Sequence, residues 1–355
     1  MNGHHEKVTV DAELPRMLEE LERFFGVSEG VETDKLISLL SQKQVQGCAA
    51  AIAALLRLPI GIRIAYVPAS YRPGSGERFH TQSLVVTDDR GRAVSSIAAQ
   101  VEMPEHLPLY GSAALRGFQV TIRLSENCCM YPEATLVLVA HELTHVLLST
   151  LRHPQRENEL YTDLVPLFLG FGKVARTGRK VTRTSSEGST ETTTYGYLTD
   201  RQFESAITHI NSSLRYCRIE RDRLLRVAAM VRHQIGTAAA GLDAYARYLT
   251  LLNKRRPTRM KMEHAQRLVE MHARDLETDR RTTVSECSLL VTDTESSLRS
   301  MGSNMAYDRH VLKALAENLE SAKVRVSATG QAIRADNAVL GKYIGLRQRI
   351  LGATE

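Results

Sequence analysis

His141-Glu142-Leu143-Thr144-His145 sets two imidazoles four positions apart, with a carboxylate beside the first. On a helix, positions i and i+4 share one side, so both rings can bind one metal ion. Glu142 can then take a proton from a water activated there. A catalytic zinc site normally has three protein ligands and keeps one position open. After an interval of thirteen residues come Glu159 and, four positions on, Asp163. A carboxylate on an apolar helix is costly unless it is paired or bound to a metal. Glu159 is therefore the expected third ligand. Asp163 is the expected acceptor for the second ring N–H of His141, a contact that fixes the tautomer.

Two helices must carry these groups. Val137, Leu138 and Val139 precede the first motif and Val146, Leu147 and Leu148 follow it, with no Gly or Pro between. Pro154 marks the end of that helix, because the residue before a proline is pushed out of the α region. A second apolar run follows through Leu160, Leu164, Val165, Leu167 and Phe168. Pro166 kinks it only after both acids have been placed.

HELTH followed by NELYTD resembles the thermolysin-like zinc metallopeptidases, the gluzincins, whose paired motifs are HExxH and NExxSD. The resemblance spans residues 136–172, with Thr162 at the usual serine position. It implies an α+β fold: a zincin-like catalytic core with a short-stranded sheet and two metal-binding helices. It implies Zn2+ held by His141, His145 and Glu159, with Glu142 as general base and Asp163 orienting the first histidine. The implied reaction is peptide-bond hydrolysis. A histidine or tyrosine well downstream stabilises the oxyanion in such enzymes; Tyr195, Tyr197 and His209 all have suitable chemistry and order. An edge strand near the HExxH helix holds extended substrate in the family. Residues 117–124, with Gln119 and Thr121, are the first candidate, and residues 94–103 the second. The interval between the motifs is shorter than in thermolysin, which implies a tight connection and a compact core.

Around this core the sequence suggests three regions. Residues 1–58 read as helices, with Leu14, Leu18, Leu21 and Phe25 on one side of the first. Residues 59–212 carry strand-like alternation at 60–67, 81–87, 94–103 and 117–124, then the two metal helices, then a polar stretch at 173–194 expected to be a mobile loop. Residues 213–355 read as a long helical bundle or hairpin without sustained strict heptads.

Composition narrows the function classes. No window approaches a membrane span, and no signal peptide is recognisable. The five cysteines include no C-x₂-C pair and read as reduced thiols, which points to the cytoplasm. The net charge of +6 is uneven: residues 1–200 hold 20 Lys/Arg against 23 Asp/Glu, and residues 201–355 hold 26 against 17. Basic residues spread along helices usually form a solvated face. With no tryptophan and no aromatic-interleaved basic tract, nothing specific indicates nucleic acid. The expected partners are a peptide or protein substrate and, through the C-terminal helices, a second copy or another protein. Two alternatives stand beside the peptidase: a zincin-fold scaffold that does not cleave, and a peptidase located on nucleic acid or a partner by its basic helices.

Overall fold

The computed structural model describes residues 3–68, 85–87, 93–95, 99–104, 106–126, 130–184, 190–254, 260–303 and 305–352. The chain is mixed α+β and mostly helical, and it divides into two compact units. The first comprises Met1–Arg215 with Ala306–Asp308; the second comprises Tyr216–Met305 with Arg309–Glu355. The N-terminal helices are thus part of the first unit rather than a segment apart. Residues 81–84 of the strand expected at 81–87 and the adjacent thiols Cys128 and Cys129 lie outside the described residues.

The first unit is built on α4 (Pro132–Thr150), which starts with proline at its first turn and is buried almost continuously from Ala134 to Thr150. Proline suits that position, since its missing N–H would have no helical partner. The helix stops where Arg152 turns left-handed (φ 55°) and His153 N–H donates to the Leu148 carbonyl, just before Pro154. Helices α2 (Thr33–Ser41), α3 (Val45–Leu55), α5 (Glu159–Pro166) and α6 (Gly172–Gly178) surround it. The helix α1 (Gly3–Phe25) packs on α5 and on the π turn Leu167–Phe171 that follows it. That turn contains Gly170 at φ +97°, where a Cβ would lie 2.2 Å from the Glu29 carbonyl oxygen, so only glycine lets residues 28–31 dock there.

Three strands cover α3 and α4: β1 (Gly61–Val67), β4 (Ala99–Glu102) and β5 (Gln119–Ser125), in the order β1-β5-β4. β5 pairs in parallel with β1 and antiparallel with β4. Gln119 is opposite Gly61, and Thr121 is opposite both Arg63 and Glu102. The expectation that Gln119 and Thr121 lie on an edge strand is therefore corrected: β5 is central, and both of its sides are committed to neighbours. Among the described residues, β4 is the last strand on its side.

A second sheet has the order β3-β2-β7-β6, from β2 (Val85–Thr87), β3 (Ala93–Ser95), β6 (Lys180–Thr184) and β7 (Thr190–Thr194). Residues 94–103 are accordingly two strands in different sheets. The expected mobile loop at 173–194 is replaced by α6 and the β6–β7 pair. Its threonines and Val181 are β-branched, and pleated pairing suits them despite their polarity.

The second unit contains most of α7 (Asp200–Lys254), with α8 (Met260–Ser300) and α9 (Arg309–Gly352). Buried positions in α7 run Leu224, Ala228, Val231, Ile235, Ala238, Leu242, Tyr245 and Leu249. In α8 they include Val284, Cys287, Val291, Thr294 and Leu298, and in α9 Leu312, Leu315, Leu319, Ala322 and Val326. These alternate by three and four residues, so the heptad spacing is sustained after all. Leu289 and Val339 point away from these buried rows and are 64% and 66% exposed. No helix of the described residues is long and apolar enough to cross a membrane.

Candidate metal centre

Asn158 caps α5, its side-chain oxygen accepting from Leu160 N–H at 3.0 Å, which makes Glu159 the first helical residue. Its carboxylate thereby faces the α4 side that carries His141 and His145. Three ligand-capable atoms converge. Glu159 Oε2 is 3.2 Å from His141 Nε2 and 3.3 Å from His145 Nε2, and the two Nε2 atoms are 3.3 Å apart. A tetrahedral ion with bonds of about 2.0–2.1 Å needs ligand atoms about 3.3–3.4 Å apart. The triangle has that size. His141 and His145 are buried at 4% and 0% exposure, whereas Glu159 is partly exposed, giving a closed back and an approachable front. Among the described residues this is where three such side chains meet closely enough to hold a metal ion.

The next shell is equally specific. His141 Nδ1 lies 2.7 Å from Asp163 Oδ1, so Nδ1 carries a proton and Nε2 is the nitrogen turned to the triangle, where a metal ion would take its lone pair. Asp163 Oδ2 accepts the N–H groups of Tyr197 and, at 3.2 Å, Leu198. Those two amides are aimed by Gly196 at φ +91°, where a Cβ would meet Asp163 Oδ2 at 2.8 Å. Burial opposes charge on His141, but the carboxylates of Asp163 and Glu159 outweigh it and lift its pKa to about 10. Burial raises Glu159, yet the two imidazoles beside it prevail and hold it down to about 2. Without an ion, then, the cluster holds a proton between a carboxylate and imidazole, where a divalent cation would replace it.

Glu142 is fully buried, and its Oε2 accepts Val101 N–H from β4 at 2.8 Å. Of the three candidate oxyanion donors, Tyr197 is the one whose ring stacks on His141, with centroids 6.0 Å apart and planes 21° apart. Burial first, then the charges of Glu159, Asp163 and Glu142, push the Tyr197 phenol well above its ordinary pKa, so it stays a neutral O–H donor. Tyr195 is buried two residues earlier, its N–H donating to the Arg179 carbonyl. His209 is directed elsewhere: its Nε2 is 2.7 Å from Glu22 Oε2 and its ring rests on Phe168.

The amides of residues 197 and 198, Gly196 and the Val101 amide were not identified from sequence. Backbone donors carry no residue-type signal, and they reach the site from 34 to 41 positions away. No family model, curated protein or solved structure matches this chain.

Proposed function

We propose that this protein is a zinc-dependent peptidase, a compact and divergent relative of the gluzincins acting in the cytoplasm on an extended peptide or protein segment. The observation that carries the reading is the triangle of His141 Nε2, His145 Nε2 and Glu159 Oε2 at tetrahedral spacing, with a carboxylate at Glu142 that metal retention alone does not require. A zinc ion held there supplies Lewis acidity and lowers the pKa of water at the open position. Asp163 keeps His141 in the tautomer that offers Nε2. Glu142 accepts the proton of the attacking water and delivers it to the departing amine nitrogen, as a C–O bond forms and the C–N bond breaks. Tyr197 donates its phenolic hydrogen to the oxygen that gains charge.

The test compares wild type with Glu142→Gln. Both should bind one zinc per chain, while the variant loses about 10²–10⁴-fold in cleavage of unfolded protein substrates. Zinc binding without cleavage by wild type would favour the scaffold reading instead.

A further inference from the structure

A cavity of about 310 Å³ opens on the first unit where residues 28–30, the π turn, the start of α6 and α7 meet, and none of its lining residues belongs to the metal centre. That volume is at the small end for ligand pockets, about 300–1,000 Å³, which are mostly apolar with a few placed polar groups. Its walls are Leu167 of the π turn and Ile207, Ile210 and Leu214 of α7. The last three are spaced by three and four residues and so face one way. Glycines keep the space open. Gly170 needs its left-handed φ of +97°, and a Cβ on Gly172 would lie 2.9 Å from Ile207 Cδ1. Gly30 has no such reason: its φ is not left-handed, and an added Cβ would meet only the Gly170 carbonyl oxygen, at 4.0 Å.

The charge at the mouth has one sign. Among the described residues that line the cavity none is acidic, and two, Lys173 and Arg176, are basic. Arg176 is already held by both oxygens of Glu204, at 2.7 and 3.0 Å. Glu29, beside Gly30, turns its carboxylate to the Tyr307 hydroxyl at 3.1 Å. Lys173 is exposed and has no ion pair among the described residues. We propose that this cavity binds a medium-length apolar monocarboxylate, a fatty-acid anion, with its tail on Leu167, Ile207, Ile210 and Leu214 and its carboxylate at Lys173. Removing the tail from water drives binding. The ammonium of Lys173, with the Asn211 amide as a second donor at the mouth, selects the anion. The site is independent of the peptidase reading and stands whether or not peptides are cleaved.

The test titrates the full chain, its isoleucine δ1 methyls labelled for NMR, with sodium octanoate, octan-1-ol and octylammonium chloride. Octanoate should shift the Ile207 and Ile210 methyls saturably. Octanol, with the same tail and no charge, should bind about three- to fivefold more weakly, the scale of one partly exposed ion pair. Octylammonium should be weaker still. In Lys173→Met, octanoate should fall to the level of octanol. Gly30→Leu, which fills the mouth and leaves every charge in place, should weaken octanoate and octanol alike by about tenfold, the scale of two methylenes kept out of the cavity. No saturable shift at Ile207 and Ile210 would overturn the site. Equal affinity of wild type for octanoate and octanol would overturn the role of Lys173, and with it the choice of an anion. Octanoate binding that is unchanged in Gly30→Leu would place the ligand elsewhere and end the proposal. The three probes on wild type need no variant, so they decide the outcome even where a substitution prevents folding.

Discussion

Asp163 Oδ1 and His141 Nδ1 lie 2.7 Å apart, and that contact determines which nitrogen of His141 faces Glu159 and His145. The other carboxylate oxygen is bound by two backbone amides, so the aspartate cannot turn away from the ring. In Asp163→Asn the amide group can satisfy the imidazole or the two N–H donors, but not both. Zinc affinity should fall about 10–100-fold, the usual loss when an outer partner of a ligand is removed. Competition with a chromophoric chelator would measure it, and an unchanged affinity would remove Asp163 from the site.

Gly196 is the matching test on the backbone side. Alanine at φ +91° is strained, and its Cβ would lie 2.8 Å from Asp163 Oδ2. Gly196→Ala should destabilise the protein by about 1–3 kcal/mol and weaken zinc binding as Asp163 shifts. Thermal melts with and without zinc would separate the two effects. If the variant melts like wild type, residues 195–198 do not hold the aspartate.

The site was more legible than the scaffold. His141, Glu142 and His145 declare themselves because helical periodicity turns i and i+4 spacing into adjacency, and Glu159 and Asp163 repeat that spacing on the next apolar run. The central position of β5 was hidden: an alternating strand looks the same with one neighbour or two, and only the pairing of Gly61 with Gln119 and of Ala99 with Leu124 decides it. The seam of the second unit was hidden for another reason. Ala228, Ala238, Cys287, Thr294 and Ala322 fill heptad positions with small or polar side chains, which blurs the apolar period although the burial period is intact. Residues 180–194 looked like a loop because their composition is polar, yet β6 and β7 lead directly into Tyr195–Leu198 and so bear on the metal centre.

The proton balance of the cluster fixes the sign of its pH dependence. In the metal-free protein His141 is raised from 6.5 to about 10, so its pairing with Asp163 and Glu159 stabilises fully below 6.5 and is lost as pH rises through about 10. Glu159 is lowered from 4.5 to about 2; its contribution is present above 4.5 and is lost as pH falls through about 2. Zinc must displace the proton on the cluster. Its affinity should rise with pH between 6.5 and 10, by about tenfold per pH unit for each proton released. Calorimetric titrations in buffers of different ionisation enthalpy would count those protons, and a pH-independent affinity would contradict the shared proton.

Glu159 is the residue on which metal and proton compete most directly. Glu159→Gln keeps the shape of the side chain but removes the charge that holds the imidazole proton and would neutralise the ion. Two readouts should move together. Zinc content should fall below one per chain under a chelator concentration that leaves wild type loaded, because two neutral imidazoles and an amide oxygen hold a divalent cation less well than a set containing a carboxylate. In the metal-free variant the His141 titration followed by NMR should shift downward, since one of the carboxylates that favour its charge is gone while burial still opposes it. A lower histidine pKa with full zinc retention would mean that Glu159 pairs with the imidazoles without binding the ion, and the third ligand would then have to be sought elsewhere.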